Sequence, residues 1–163
     1  MLLVLSGAML WLKLYYSMGH ATEFVIGGSR SPHRLLIAYQ GSEFKRKVVE
    51  YVTDMFSDNN ITITGMDLSS LPLINPSNWD AILILSTWEF GRAPKPVREF
   101  FTKNQKTERV VVYTTSFTGD ASPAGVDALT GASVVEEYET EAIRISKRLK
   151  SYLSDSTMQR QMR

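Results

Sequence analysis

Apolar residues in this chain fall either into short unbroken runs or into stretches where they recur every three or four positions. Three runs stand out: Leu35, Leu36, Ile37, Ala38 and Tyr39 after Arg34; Ala81, Ile82, Leu83, Ile84 and Leu85; and Val110, Val111, Val112 and Tyr113 after Arg109. A short apolar run with polar boundaries predicts a strand buried on both faces, as inside a parallel sheet. Ile61, Thr62, Ile63 and Thr64 alternate instead and predict a half-buried edge strand. Ser133, Val134 and Val135 predict a short fifth strand. Phe44, Val48, Tyr51, Val52, Met55 and Phe56 follow helical spacing, with Ser42 as N-cap and Glu43 favourably placed in the first turn. A second helix opens at Pro96 and carries Val97, Phe100 and Phe101 on one stripe. A last helix presents Ala142, Ile145, Leu149 and Tyr152. Pro72 and Pro76 break up residues 67–80, leaving one turn near residues 68–71 and then irregular chain.

The resulting order is β-α-β-(turn)-β-α-β-loop-β-α. It predicts an α/β domain with a five-stranded parallel sheet, order 2-1-3-4-5, and helices on both faces. The loops after the first, third and fourth strands then meet at one rim, where ligands bind in such sheets.

Residues 2–12 are almost wholly apolar; Lys13 interrupts, and Leu14, Tyr15, Tyr16 and Met18 resume. The stretch approaches the roughly 17-residue minimum for a membrane span. Tyr15, Tyr16 and Lys13 suit an interfacial belt. Three readings stay open: a membrane anchor, a signal peptide cut near Gly19-His20-Ala21, or a helix buried against a partner. Domain organisation is therefore an N-terminal anchor or signal-like helix (1–21), a Gly/Ser linker (22–33), the α/β domain (34–153) and a polar tail (154–163). For an anchor, Lys13, Arg30, Arg34, Lys45, Arg46 and Lys47 all follow the apolar core, which places the domain on the cytoplasmic or equivalent side of a single-pass protein. Cleavage would instead export it.

Composition narrows the chemistry. A formal net charge of +1 gives no general field for nucleic acid. The absence of cysteine removes disulfides, thiolate metal sites and cysteine nucleophiles. His20 and His33 have no paired ligand spacing, so no metal is expected.

The central third of the chain resembles flavodoxins and flavodoxin-like quinone reductases: Met66, Asp67 and Leu68 through Pro76, Trp79-Asp80, the apolar strand, Phe90-Gly91, then Pro96-Val97-Arg98 and Phe100. That resemblance implies FMN at the sheet rim. Gln40, Gly41, Ser42, Glu43 and Phe44 would form the phosphate loop. Trp88, Glu89, Phe90 and Gly91 would form the ring-side loop, and Thr115, Ser116, Phe117, Thr118 and Gly119 the third. The phosphate loop is degenerate: it has one hydroxyl, Ser42, and an acidic neighbour, Glu43. Leu85 and Thr87 stand where glycine and proline are usual. Separately, residues 127–133, from Asp127 to Ser133, resemble the pattern at which FMN is attached through a phosphoester in membrane redox subunits related to sodium-pumping quinone reductases. Ser133 would then be the acceptor.

Two functions follow from these readings. One is a membrane-associated, FMN-dependent electron carrier or reductase serving a redox partner. The other is a non-catalytic flavodoxin-like subunit of a membrane assembly that has lost FMN. No residue stands out as a catalytic acid, base or nucleophile.

Overall fold

The computed structural model describes residues 19–28, 31–57, 60–89, 92–115 and 128–161, with the backbone alone for 155–161. Its elements in chain order are β1 (Phe24–Ile26), β2 (His33–Tyr39), α1 (Glu43–Met55), β3 (Ile61–Asp67), β4 (Ala81–Thr87), α2 (Lys95–Lys103), β5 (Val110–Thr115), β6 (Ala128–Gly131) and α3 (Tyr138–Gln161). Short 3-10 turns at Leu68–Leu73 and Pro76–Asn78 take the place of a crossover helix between β3 and β4.

The three apolar runs become β2, β4 and β5, side by side and parallel. Successive side chains in a strand point to opposite faces, so each run feeds two cores. Leu35, Ile37, Leu83, Leu85, Val111 and Tyr113 pack under α1 and α3, with Phe44, Val48, Ile145 and Leu149. Leu36, Ala38, Ile82, Ile84 and Val112 pack on the other face against Val97 and Phe100 of α2 and Leu68 and Leu71 of the 3-10 turn. Full burial of each such aliphatic side chain contributes about 2 kcal/mol. Substituting a polar residue at Leu83 or Ile84 would therefore damage both strand pairing and one core.

Sheet order is β1-β3-β2-β4-β5-β6, with β2 through β6 parallel. The five parallel strands keep the expected 2-1-3-4-5 arrangement, and β1 is an addition. It pairs antiparallel with β3, aligning Phe24 with Gly65 and Ile26 with Ile63. Two expectations change as a result, and a third changes independently at the other side of the sheet. Ile61–Asp67 is no longer an edge, because β1 covers its free side. Residues 22–33, expected to be a linker, contain that strand, and Gly27 turns the chain afterwards at φ 98°. The fifth parallel strand is Ala128–Gly131, and Val135 starts a 3-10 turn instead. Val134 is 39% exposed, so its apolar character fills no core position. The last helix also continues to Gln161, through most of the expected polar tail. No helix among the described residues is long and apolar enough to cross a membrane. The leader, residues 1–18, lies outside them.

Candidate functional site

From β2 the chain crosses to β3 on one side, whereas β4 leads to β5 on the other, so the switch in winding direction lies between β2 and β4. Loops leaving two such strands diverge and leave a crevice at their carboxyl ends. A crevice of about 490 Å³ opens there, lined by Gln40, Thr87 and Glu89 and by Arg92, Lys95 and Arg98. Three cations thus face one carboxylate. A larger hollow, about 670 Å³, lies at the amino edge around Trp79, Lys103, Lys106 and Arg109. Among the described residues, none of the parallel strands presents its carboxyl end to that hollow, so the smaller crevice is the candidate site.

Under the crevice is a buried cation. Lys45 belongs to α1 and is 0% exposed. Its Nζ donates to Thr87 Oγ1 at 2.8 Å and lies 3.5 Å from Ser42 Oγ. Thr87 Oγ1 is also 2.8 Å from Thr115 Oγ1. Ammonium and hydroxyls therefore link the ends of β2, β4 and β5. Burial pushes the Lys45 amine down to about 7, because removing an ammonium from water disfavours its charged form. Thr87 lines the crevice, so Lys45 stands one hydroxyl behind it.

The first loop is closed on itself. Gln40 N donates to Leu85 O at 3.2 Å, Gly41 N to Gly19 O at 2.8 Å and Ser42 N to Gln40 O at 3.0 Å. Ser42 Oγ accepts from Lys45 N as the N-cap, and Gln40 Oε1 accepts from Thr87 N at 2.6 Å. A Cβ on Gly41 would strike the carbonyls of Gly19 and His20, which lie over it. A phosphate cradle needs backbone N–H groups free to point at the anion. These three already have acceptors, so Gln40, Gly41 and Ser42 do not offer FMN phosphate the backbone donors that the resemblance implied. Beside them, the crevice presents the Thr87 hydroxyl and the cationic side chains of Arg92, Lys95 and Arg98, with Lys45 and Thr115 hydrogen-bonded to Thr87 behind the wall.

Of the residues singled out from sequence, the fold gathers Gln40, Gly41, Ser42, Trp88 and Thr115 at one edge. Trp88 N donates to Thr115 O at 2.8 Å, and Trp88 Nε1 is buried without a hydrogen-bond partner among the described residues. Phe90, Gly91, Ser116, Phe117 and Gly119 lie outside the described residues, as do Thr118 and Asp127. Ser133 is exposed two residues beyond β6, at the same edge but two strands from β4. Lys45, Thr87, Arg92, Lys95 and Arg98 were not among the candidates. Lys45 did carry a signal, since positions 45, 48, 49 and 52 form one buried stripe of α1. Among the described residues, no group of three or more potential metal ligands occurs.

No family model matches the chain, and no curated protein matches it in sequence. Solved structures do match. A short-chain flavodoxin associated with a non-canonical PDU bacterial microcompartment superposes with a TM-score of 0.51 at 13% identity, over 74% of this chain and 99% of that one. The Streptococcus pneumonia TIGR4 flavodoxin gives 0.49 at 11% identity, over 72% and 97%. Flavodoxin 2 from Bacillus cereus gives 0.47 at 16% identity, over 71% and 99%. The fold is flavodoxin-like.

Proposed function

We propose that this chain is a flavodoxin-like electron carrier that holds FMN in the crevice between β2 and β4. The observation carrying this reading is the crevice itself: it lies at the switch point, has a cationic wall, and is backed by the buried Lys45 ammonium. Thr87 would receive the phosphate in place of the closed first loop, with Lys45 and Thr115 hydrogen-bonded behind it. Arg92, Lys95 and Arg98 would add long-range attraction, partly opposed by Glu89. Trp88 offers an aromatic surface at the same edge. Bound flavin supplies one- or two-electron transfer, and the protein's part is to hold it and keep its surroundings fixed.

Titration of the purified full chain with FMN and with riboflavin, read by flavin fluorescence, tests the reading. Riboflavin lacks the phosphate. FMN should bind at least about tenfold more tightly, as one charge-assisted contact provides. Lys45→Met should remove most of that preference. Equal affinity for the two flavins, or binding of neither, overturns the proposal and leaves a domain that has lost the cofactor.

A further inference from the structure

We propose that the carboxyl edge of the sheet, crevice included, is the face this protein turns toward a lipid surface, held there by the apolar residues that precede Gly19. The direction of β1 is the first support. It runs antiparallel to β3, pairing Phe24 with Gly65 and Ile26 with Ile63. Followed backwards from Phe24, the chain therefore leads to the carboxyl ends of the parallel strands.

The second support is a clasp that fixes it there. Gly19 O accepts from Gly41 N at 2.8 Å, Ala21 N donates to Asp67 Oδ2 at 2.7 Å, and Thr22 O accepts from Tyr39 OH at 2.7 Å. Tyr39 and Asp67 are the last residues of β2 and β3, and Gly41 belongs to the first loop. The clasp holds Gly19, Ala21 and Thr22 directly at the site's edge. The apolar residues therefore join the fold at this edge and not at the opposite one.

Those residues point to a bilayer as the occupant. Residues 2–12 carry no charge, and Lys13, Tyr15 and Tyr16 are types that settle at a lipid–water interface. Charge alone would not choose the face. The crevice has Arg92, Lys95 and Arg98 against Glu89, and the amino-edge hollow has Lys103, Lys106 and Arg109 against Glu108. Either edge could attract anionic headgroups; the clasp decides between them. A redox partner dissolved in the bilayer would then meet the crevice directly.

The chain has no cysteine, so single labels can be placed cleanly. Lys95→Cys marks the carboxyl edge and Lys106→Cys the amino edge, and both positions are exposed. The full-length variants, each carrying one fluorophore, are mixed with phosphatidylcholine vesicles containing about 30% phosphatidylglycerol and a headgroup quencher. Quenching at position 95 should exceed that at position 106 severalfold. Equal quenching, the reverse order, or no vesicle binding by the full chain overturns the proposal. Gly41→Ala provides a second arm, because its methyl group displaces the Gly19 and His20 carbonyls. In that background binding should persist while the difference between labels shrinks. An undiminished difference would show that the clasp does not set the orientation.

Discussion

Replacing Lys45 by Met keeps an unbranched stem of similar volume and removes its charge, which makes the cost of the buried ammonium measurable. The ordinary value of the lysine amine is 10.5, and burial brings it to about 7 in the folded protein. Between those values the unfolded chain holds a proton that the folded chain has released. Stability must therefore rise with pH across that window. Below 7 both states are protonated and the fold bears the buried charge in full. Near 10.5 the penalty has vanished. Mid-window the slope approaches about 1.36 kcal/mol per pH unit, and integration from pH 6 to pH 9 gives about 2.7 kcal/mol. The Thr87 and Ser42 hydroxyls favour the ammonium and offset part of this, so the expected gain lies between about 1.5 and 2.7 kcal/mol.

Urea unfolding of the full chain from pH 6 to pH 9, followed by tryptophan fluorescence, measures the effect. The wild-type free energy minus that of Lys45→Met should climb by that amount, since other titrating groups are common to both and cancel. Inorganic phosphate should flatten the wild-type curve if the cluster takes an anion, because a bound anion favours the protonated amine. Parallel curves for the two proteins would refute both the burial of a titrating amine and its use as an anion partner.

Two further substitutions probe the surroundings of the site. A Cβ at Gly131 would collide with the hydroxyl of Tyr113, a fully buried residue. Gly131→Ala should therefore lower stability by about 1–3 kcal/mol in thermal or urea unfolding, with most of the loss recovered by adding Tyr113→Phe. Burial raises the Asp67 carboxyl, but hydrogen bonds from Ser69 and Ala21, together with His20, outweigh it and hold the carboxyl below 3.8. Its stabilisation is thus present above the unfolded value and lost as pH falls through the lower folded one. Asp67→Ala should cost about 1–2 kcal/mol near neutrality, and its urea curve should merge with wild type in acid; a gap that persists there would refute the assignment.

What the sequence made legible is what local pattern governs. Unbroken apolar runs can only be buried on two faces, so β2, β4 and β5 and their order followed from the residues. β1 was not legible, because Phe24–Ile26 gains its place from a partner, not from its own pattern. Val25 is 68% exposed, and the strand exists because β3 offers an open edge where Gly65 leaves room for the Phe24 ring. β6 was displaced for a related reason: Val134 and Val135 look more strand-like than Ala128–Gly131, yet only glycine at position 131 fits beside the Tyr113 hydroxyl.

Lys45 shows how the candidate site was half visible. Its spacing put it on the buried stripe of α1, while its chemistry placed it with Arg46 and Lys47 on the outside. Spacing prevailed because the long stem could cross the core and deliver its ammonium to two hydroxyls. A group so expensive to bury, at the one edge where this fold receives ligands, is hard to explain by packing. A methionine would fill the same volume without the penalty. The flattening of the pH curve by phosphate is the observable that separates an anion held beside Lys45 from a role in packing alone.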